Sequence, residues 1–441
     1  MTHTPLLNDG LFWLATALFV ATYAAIISEK VNRAIVSLLG ASLMIVCGVV
    51  NQEMAIDGVD FNTLGLLAGM MVIVNITKRS GIFQFVAIWS AKRVKAHPVG
   101  IMAMNCLVTA TFSALLDNVT TVLLVVPIIL LITEELRLSP YPYLIASILM
   151  ANIGGTATLI GDPPNIMIGS ASGLGFNDFL VNLGPVIGII MLATIPLLGF
   201  IWRRQLVAAP ADRAKVMAFN EREAITDPQL LKYALLVLAL VIGGFILHGT
   251  VHLEPATVAM FGAALLLLLD NYHRDASTQT HRVHEAFAEV EWVTLFFFVG
   301  LFIMVRGLEQ AGVIDHLAHW LLNLTHGDLT IATYTILWGS AFASAFVDNI
   351  PFVATMIPLI KSMAPAFGGN EAIVPLWWSL ALGACLGGNG TLVGASANLV
   401  VAGFAERADT PIHFVAFMKV AFPIMLLTLA ICHAYLYLRY L

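Results

Sequence analysis

Apolar runs of roughly 17 to 25 residues, long enough to cross a hydrocarbon core as helix, recur along the chain from Leu11 to Leu438. The pattern predicts helices near 11–27, 34–50, 61–76, 143–175 and 183–201, then near 233–247, 255–270, 293–305, 373–404 and 414–438. Met1–Gly10 has no basic residue and no small-x-small cleavage site comes after it, so the first run reads as a retained helix rather than a leader. Two more apolar segments, 99–131 and 331–362, carry a short polar tip, Asp117-Asn118 and Asp348-Asn349. As single spans they would be overlong and would reverse the orientation of every later helix. Re-entrant hairpins fit better, because non-helical backbone at that depth is tolerated where protein or a wet cavity satisfies it. Helices 143–175 and 373–404 are also broken. Pro163-Pro164 removes donors and clashes with preceding carbonyls, and Gly387-Gly388-Asn389-Gly390 has low helix propensity.

The pattern occurs twice. Ser113-Ala-Leu-Leu-Asp117-Asn118 returns as Ser344-Ala-Phe-Val-Asp348-Asn349, and Thr63 to Gly69 returns as Thr294 to Gly300, at a constant offset of 231 positions. Ala151-Asn-Ile-Gly-Gly-Thr-Ala-Thr158-Leu-Ile-Gly-Asp162-Pro-Pro-Asn165 returns as Ala384-Cys-Leu-Gly-Gly-Asn-Gly-Thr391-Leu-Val-Gly-Ala395-Ser-Ala-Asn398, at an offset of 233. The halves are 1–201 and 233–441, with hairpins at about 99–131 and 331–362 and broken helices at about 143–175 and 373–404. The polar stretch 202–232 is the cytoplasmic linker. Five crossings per half is an odd number, so the second half starts on the other side of the membrane. The expected fold is an all-α integral membrane protein of two inverted repeats of five transmembrane helices, each with a re-entrant hairpin and a broken helix.

Composition and charge agree with this. The chain is 59% hydrophobic and 11% charged with a mean hydropathy of +0.89, which excludes an ordinary soluble domain, and nothing in it suits nucleic acid. With the N-terminus outside, 18 of the 21 basic residues fall in cytoplasmic segments, leaving Arg306, Lys361 and Arg439 outside. That orientation puts both termini outside a plasma (inner) membrane. The four cysteines form no cluster, so neither a metal site nor a cofactor is indicated.

An aspartate at membrane depth costs roughly 3 kcal/mol or more, so the same one twice points to a site. Against that stands plain helix capping, for which Asp and Asn are preferred. Asp162 differs, because its counterpart is Ala395 and symmetry does not demand it. It is the first candidate for a proton-coupling group, ahead of Asp117 and Asp348. Thr158 and Thr391 flank the breaks as a matched pair. Asn165 and Asn398 are expected to restart the half-helices as N-caps. Helix ends and unwound backbone meeting at the midplane are the parts of a secondary transporter. Two membrane aspartates also serve intramembrane proteolysis, but the Gly-x-Gly-Asp motif is absent, as Leu159-Ile-Gly-Asp162 shows, so no enzyme is expected.

Leu116-Asp-Asn-Val-Thr-Thr121 together with Asn152-Ile-Gly-Gly-Thr-Ala-Thr-Leu-Ile-Gly-Asp-Pro-Pro-Asn165 resembles the arsenical pump membrane protein and melanosomal P-protein branch of the ion transporter superfamily. The resemblance implies an elevator-type secondary transporter, often a homodimer, with a soluble ATPase as a candidate partner. Carried over by motif, Asp117, Asn118, Thr120, Asp162 and Asn165 line the site from the first half. Asp348, Asn349, Thr391 and Asn398 line it from the second. Related dicarboxylate symporters have Ser-Asn-Thr at the hairpin tips, and aspartate there would repel a dicarboxylate. With no cationic clamp apparent in the membrane, the expected activity is export of arsenite or antimonite as the neutral hydroxide, by proton antiport. A sodium/proton antiporter, or another ion permease of the superfamily, is the alternative, since Asp, Asn and Thr oxygens suit Na⁺ equally.

Overall fold

The computed structural model describes residues 9–28, 30–251 and 253–441, and among these every regular element is a helix. Part of the opening stretch that reads as a retained N-terminus, Met1–Asn8, lies outside the described residues. The first half runs α1 (Asp9–Ile27), α2 (Arg33–Val46), α3 (Gln52–Asp57), α4 (Phe61–Lys78), α5 (Ile82–Arg93), α6 (Pro98–Leu115), α7 (Asn118–Glu135), α8 (Tyr141–Gly155), α9 (Pro163–Ser172), α10 (Phe176–Asn182) and α11 (Gly184–Ile201). A short α12 (Pro210–Met217) comes next. The second half runs α13 (Pro228–Val251), α14 (Pro255–Asn271), α15 (Ala276–Ala288), α16 (Trp292–Gln310), α17 (Val313–Leu324), α18 (Leu329–Phe346), α19 (Asn349–Phe367), α20 (Val374–Gly387), α21 (Ser396–Arg407) and α22 (Phe414–Tyr440). Ten described helices are long and apolar enough to cross a membrane.

The helix predicted over 34–50 stops at Val46, and Asn51 then caps the separate α3 through Met54 N–H at 2.8 Å. Both polar tips are single breaks between long limbs. α6, α7 and α18 have 18 residues and α19 has 19, so at 1.5 Å per residue each limb is roughly 27 Å long. The linker is shorter and more ordered than its polarity suggests. Its helix α12 is followed by a 3₁₀ turn at Glu221–Ala224, and α13 already begins at Pro228. Lys92 at the end of α5 holds it, donating to Glu221 Oε2 at 2.5 Å and to the Phe219 carbonyl at 2.8 Å.

Two packing groups arise. In one, α2 lies along α16 and α4 along α14, with α13 on α14 and α1 on α2. In the other, α6 packs on α8 and α18 on α20, with α11 and α22 behind them. Small residues permit these approaches, as is usual where lipid supplies no hydrophobic drive. A Cβ on Gly154 would sit 2.2 Å from the Ala110 carbonyl oxygen, and one on Gly387 would sit 2.5 Å from that of Ala341. In the first group a Cβ on Gly300 would meet the backbone of Ser37 at 2.6 Å, and one on Gly69 would meet Ala259 at 2.8 Å. Gly154 and Gly387 are counterparts, as are Gly69 and Gly300. The last pair also aligns α2 with α14, Ser37 facing Gly300 where Ala259 faces Gly69.

Candidate functional site

Both hairpin tips end on an aspartate cap, but the backbone differs, with φ −160° at Asp117 and −47° at Asp348. Asp117 is the N-cap of α7 and accepts from Thr120 N–H at 2.7 Å, while Asp348 is the N-cap of α19 and accepts from Ile350 N–H at 3.2 Å. Capping is therefore one role of both aspartates. Each tip is tied to its broken helix by the same bonds. Ser113 donates to the Ala151 carbonyl at 2.5 Å and Ser344 to that of Ala384 at 2.6 Å. Thr158 donates to the Ala114 carbonyl and Thr391 to that of Ala345, both at 2.5 Å. These threonines spend their protons on the hairpins and keep only lone pairs for a ligand. Thr120 is half-buried beside its tip, with its backbone N–H on Asp117.

Asn165 and Asn398 are not N-caps, contrary to expectation. Pro163 and Pro164 fix the start of α9 two residues earlier, so its N-cap is Asp162, and Ala395 holds that position on α21. The asparagines instead reach back across the break to the orphan carbonyls of the preceding half-helix. Asn165 Nδ2 donates to Thr156 O at 3.2 Å and Thr158 O at 2.9 Å, and Asn398 Nδ2 to Gly388 O at 2.8 Å and Thr391 O at 2.9 Å. Their amide oxygens then meet the other half. Asn152 donates to Asn398 Oδ1 at 3.0 Å, and Cys385, the counterpart of Asn152, lies with its Sγ 3.5 Å from Asn165 Oδ1. Asn152 also donates to Asn389 Oδ1 at 2.9 Å and accepts from Asn118 Nδ2 at 3.2 Å. Amides thus join the first tip to the second break, and the Cys385 thiol links the first break to the second half. Asn152 and Asn389 were not expected there; asparagine buried in apolar helix was the available signal.

Asp162 stands apart. Its side chain is fully buried and makes no cap bond: the two prolines after it lack N–H, and the next amide, Asn165 N–H, donates to the Asp162 backbone carbonyl at 2.9 Å instead. Its polar neighbours from the second half are the Cys385 thiol and Asn349, whose Nδ2 lies 3.4 and 3.5 Å from the two carboxylate oxygens. Among the described residues no cation pairs with Asp162 or Asp117.

Asp348 does have one, which corrects the expectation that the membrane site lacks a cation. Arg33 is the first residue of α2 and looked like a cytoplasmic loop charge. Its Nη1 lies 2.7 Å from Asp348 Oδ2 and 2.7 Å from Ser396 Oγ, and its Nη2 lies 3.3 Å from Thr294 Oγ1. Ser396 donates to the same carboxylate oxygen at 3.0 Å, and the guanidinium lies 5.2 Å from the Phe297 ring centroid. The pair borders a cavity of about 340 Å³ between Ile26 and Val31 on one side and Val347, Val393 and Leu399 on the other.

A break-bearing helical bundle with buried polar groups converging between its halves is the architecture of a membrane transporter, and the comparisons agree. Residues 23–383 match the family model described as a citrate transporter, so the chain belongs to the citrate transporter (CitMHS) family. It is 42% identical over 432 residues to an uncharacterized transporter of Mycobacterium tuberculosis, covering 97% of this chain and 98% of that one. It is 33% identical over 504 residues to the P protein of Homo sapiens, covering 96% of this chain and 59% of the P protein. The crystal structure of the Alcanivorax borkumensis YdaH transporter shares the fold, with a TM-score of 0.59 at 15% identity over 99% of this chain and 90% of that one. Relation to the P protein, read first from the motifs, thus rests on similarity along nearly all of this chain.

Proposed function

We propose that the chain is a secondary active transporter exporting arsenite or antimonite as the neutral hydroxide, driven by proton entry through Asp162. The observation that carries this reading is the Asp162 carboxyl, buried, without a cation among the described residues and without a cap bond. An uncompensated charge in such a place is costly, and a proton or small cation relieves that cost. Asn118, Asn152, Asn349 and Asn389 supply amides that donate to and accept from a hydroxide without demanding charge. Arg33 is engaged by Asp348, so a citrate-like trianion finds no free cation there. The reading takes the halves as inverted repeats with both termini outside, and the hairpins and broken helices as a unit moving in elevator fashion against the α2–α16 and α4–α14 pairs.

A sodium/proton antiporter is the second reading, favoured by the nearness of the Asp117 and Asp348 carboxylates to Asp162. Everted vesicles under an imposed pH gradient separate the cases. Gradient-dependent arsenite uptake is expected, and its absence overturns the proposal. Sodium-induced alkalinisation without metalloid would support the second reading, and gradient-driven citrate uptake would displace both.

A further inference from the structure

The hairpin tips share an aspartate cap and the ties to the broken helices, and differ in charge. Around Asp348 stand Arg33, Ser396, Thr294 and Phe297. The positions that correspond to these by the repeat are Pro255, Pro163, Thr63 and Leu66. The first half therefore lacks the cation, the hydroxyl that braces it and the aromatic face that accepts it. What it keeps is the acid and the threonine.

Asp348 Oδ2 and Ser396 Oγ meet Arg33 Nη1, and Thr294 Oγ1, which itself donates to Glu291 Oε2 at 3.1 Å, faces Nη2, so one guanidinium fills the space between these oxygens. We propose that these oxygens form a monovalent-cation site whose resident is the tethered Arg33 guanidinium, making Arg33 a specificity-determining residue. By filling the site from within, Arg33 denies it to mobile cations and leaves Asp117 and Asp162 as the acids open to exchange. This deepens the transport reading, since it rests on the acids being the coupling groups. Charge balance supports it: the side chains of Arg33 and Asp348 are 26% and 18% exposed, enough shielding that either charge alone is unfavourable. The planar fork of arginine suits two acceptors at once, and its face suits Phe297. Lysine has the charge without that fit. The neighbouring cavity of about 340 Å³ gives a small ion room to reach the site once the side chain is gone.

The test is chemical rescue of binding, read without transport. Purified Arg33→Ala is titrated with methylguanidinium at millimolar concentrations, and separately with Na⁺ against choline at constant ionic strength, while thermal unfolding is followed. A saturable rise in Tm is expected with methylguanidinium, and a weaker one with Na⁺. Neither is expected in the wild type or in Arg33→Ala/Asp348→Asn. A response equal to that of the wild type, or one that survives Asp348→Asn, overturns the proposal. If Arg33→Ala does not fold, the double variant decides: recovery of folded protein supports an uncompensated Asp348 charge as the cause, and no recovery overturns it. Failure of arsenite transport alone would sink the cargo reading and leave this result untouched.

Discussion

Asp117 and Asp348 occupy equivalent places, cap equivalent helices and are tied down by equivalent serines and threonines, yet only Asp348 faces a cation among the described residues. The difference separates what the duplicated sequence builds from what each half does with it. Shared bonds, Ser113 and Ser344 to the broken helices and Asn165 and Asn398 across the breaks, hold the geometry. Unshared groups set the halves apart: Arg33 in one place, Asp162 in the other.

The largest expected effect breaks that comparison at the tips. Asp348→Asn keeps a cap but strands Arg33, and removing one member of a fully buried pair costs about 3–5 kcal/mol; partial exposure brings the expectation to about 2 kcal/mol. Asp117→Asn exchanges one good cap for another and is expected to change stability by less than about 0.5 kcal/mol. Chemical denaturation of the two variants checks this, and equal losses would erase the asymmetry. Next comes the shared frame. Gly154→Ala and Gly387→Ala each press a methyl into a backbone carbonyl, which cannot swing aside as a side chain can, and are expected to lose about 1–3 kcal/mol alike. Differential scanning measurements giving a large loss in one half alone would show the packing to be unequal. Asn165→Ala, which leaves carbonyls of a broken helix unpaired, is expected to lose about 1–2 kcal/mol with little change in the pH profile of transport.

The smallest effect lies outside the membrane. The hydrogen bond from the Lys92 ammonium holds the Glu221 carboxyl below the usual glutamate range. Its contribution to docking of the linker is therefore complete above the unfolded-state pKa and fades as pH falls through the lower folded-state value. Limited proteolysis between Arg203 and Lys232 should quicken as the medium is acidified. Glu221→Gln should show the faster cleavage already at neutral pH.

Much of this was legible in the chain. Apolar runs gave the long helices, prolines and glycines gave the breaks, and the duplicated motifs identified the residues that meet between the halves. Arg33 was not legible because its partner lies 315 residues away, and a basic residue before an apolar run reads as a loop charge. Its one sequence clue was positional, since the matching helix of the second half begins at Pro255 instead. The role of Asn165 and Asn398 was misread for a local reason. Asparagine favours N-caps, but α9 starts at Pro163 and α21 at Ser396, with or without proline, so both asparagines fall inside the first turn and reach the carbonyls behind it. Asp162 is left without a cap bond because prolines follow it and the Asn165 N–H bonds its backbone carbonyl, which only the geometry makes plain.

Asp162→Asn in everted vesicles puts the coupling role of this carboxyl to the test. Arsenite uptake is measured across a series of imposed pH gradients, with protein amount and folding matched to the wild type. Wild-type uptake should rise with the gradient, and the variant should lose that dependence while Asn165→Ala keeps it. An Asp162→Asn profile that still tracks the gradient as the wild type does would contradict the account and return the coupling role to Asp117 and Asp348.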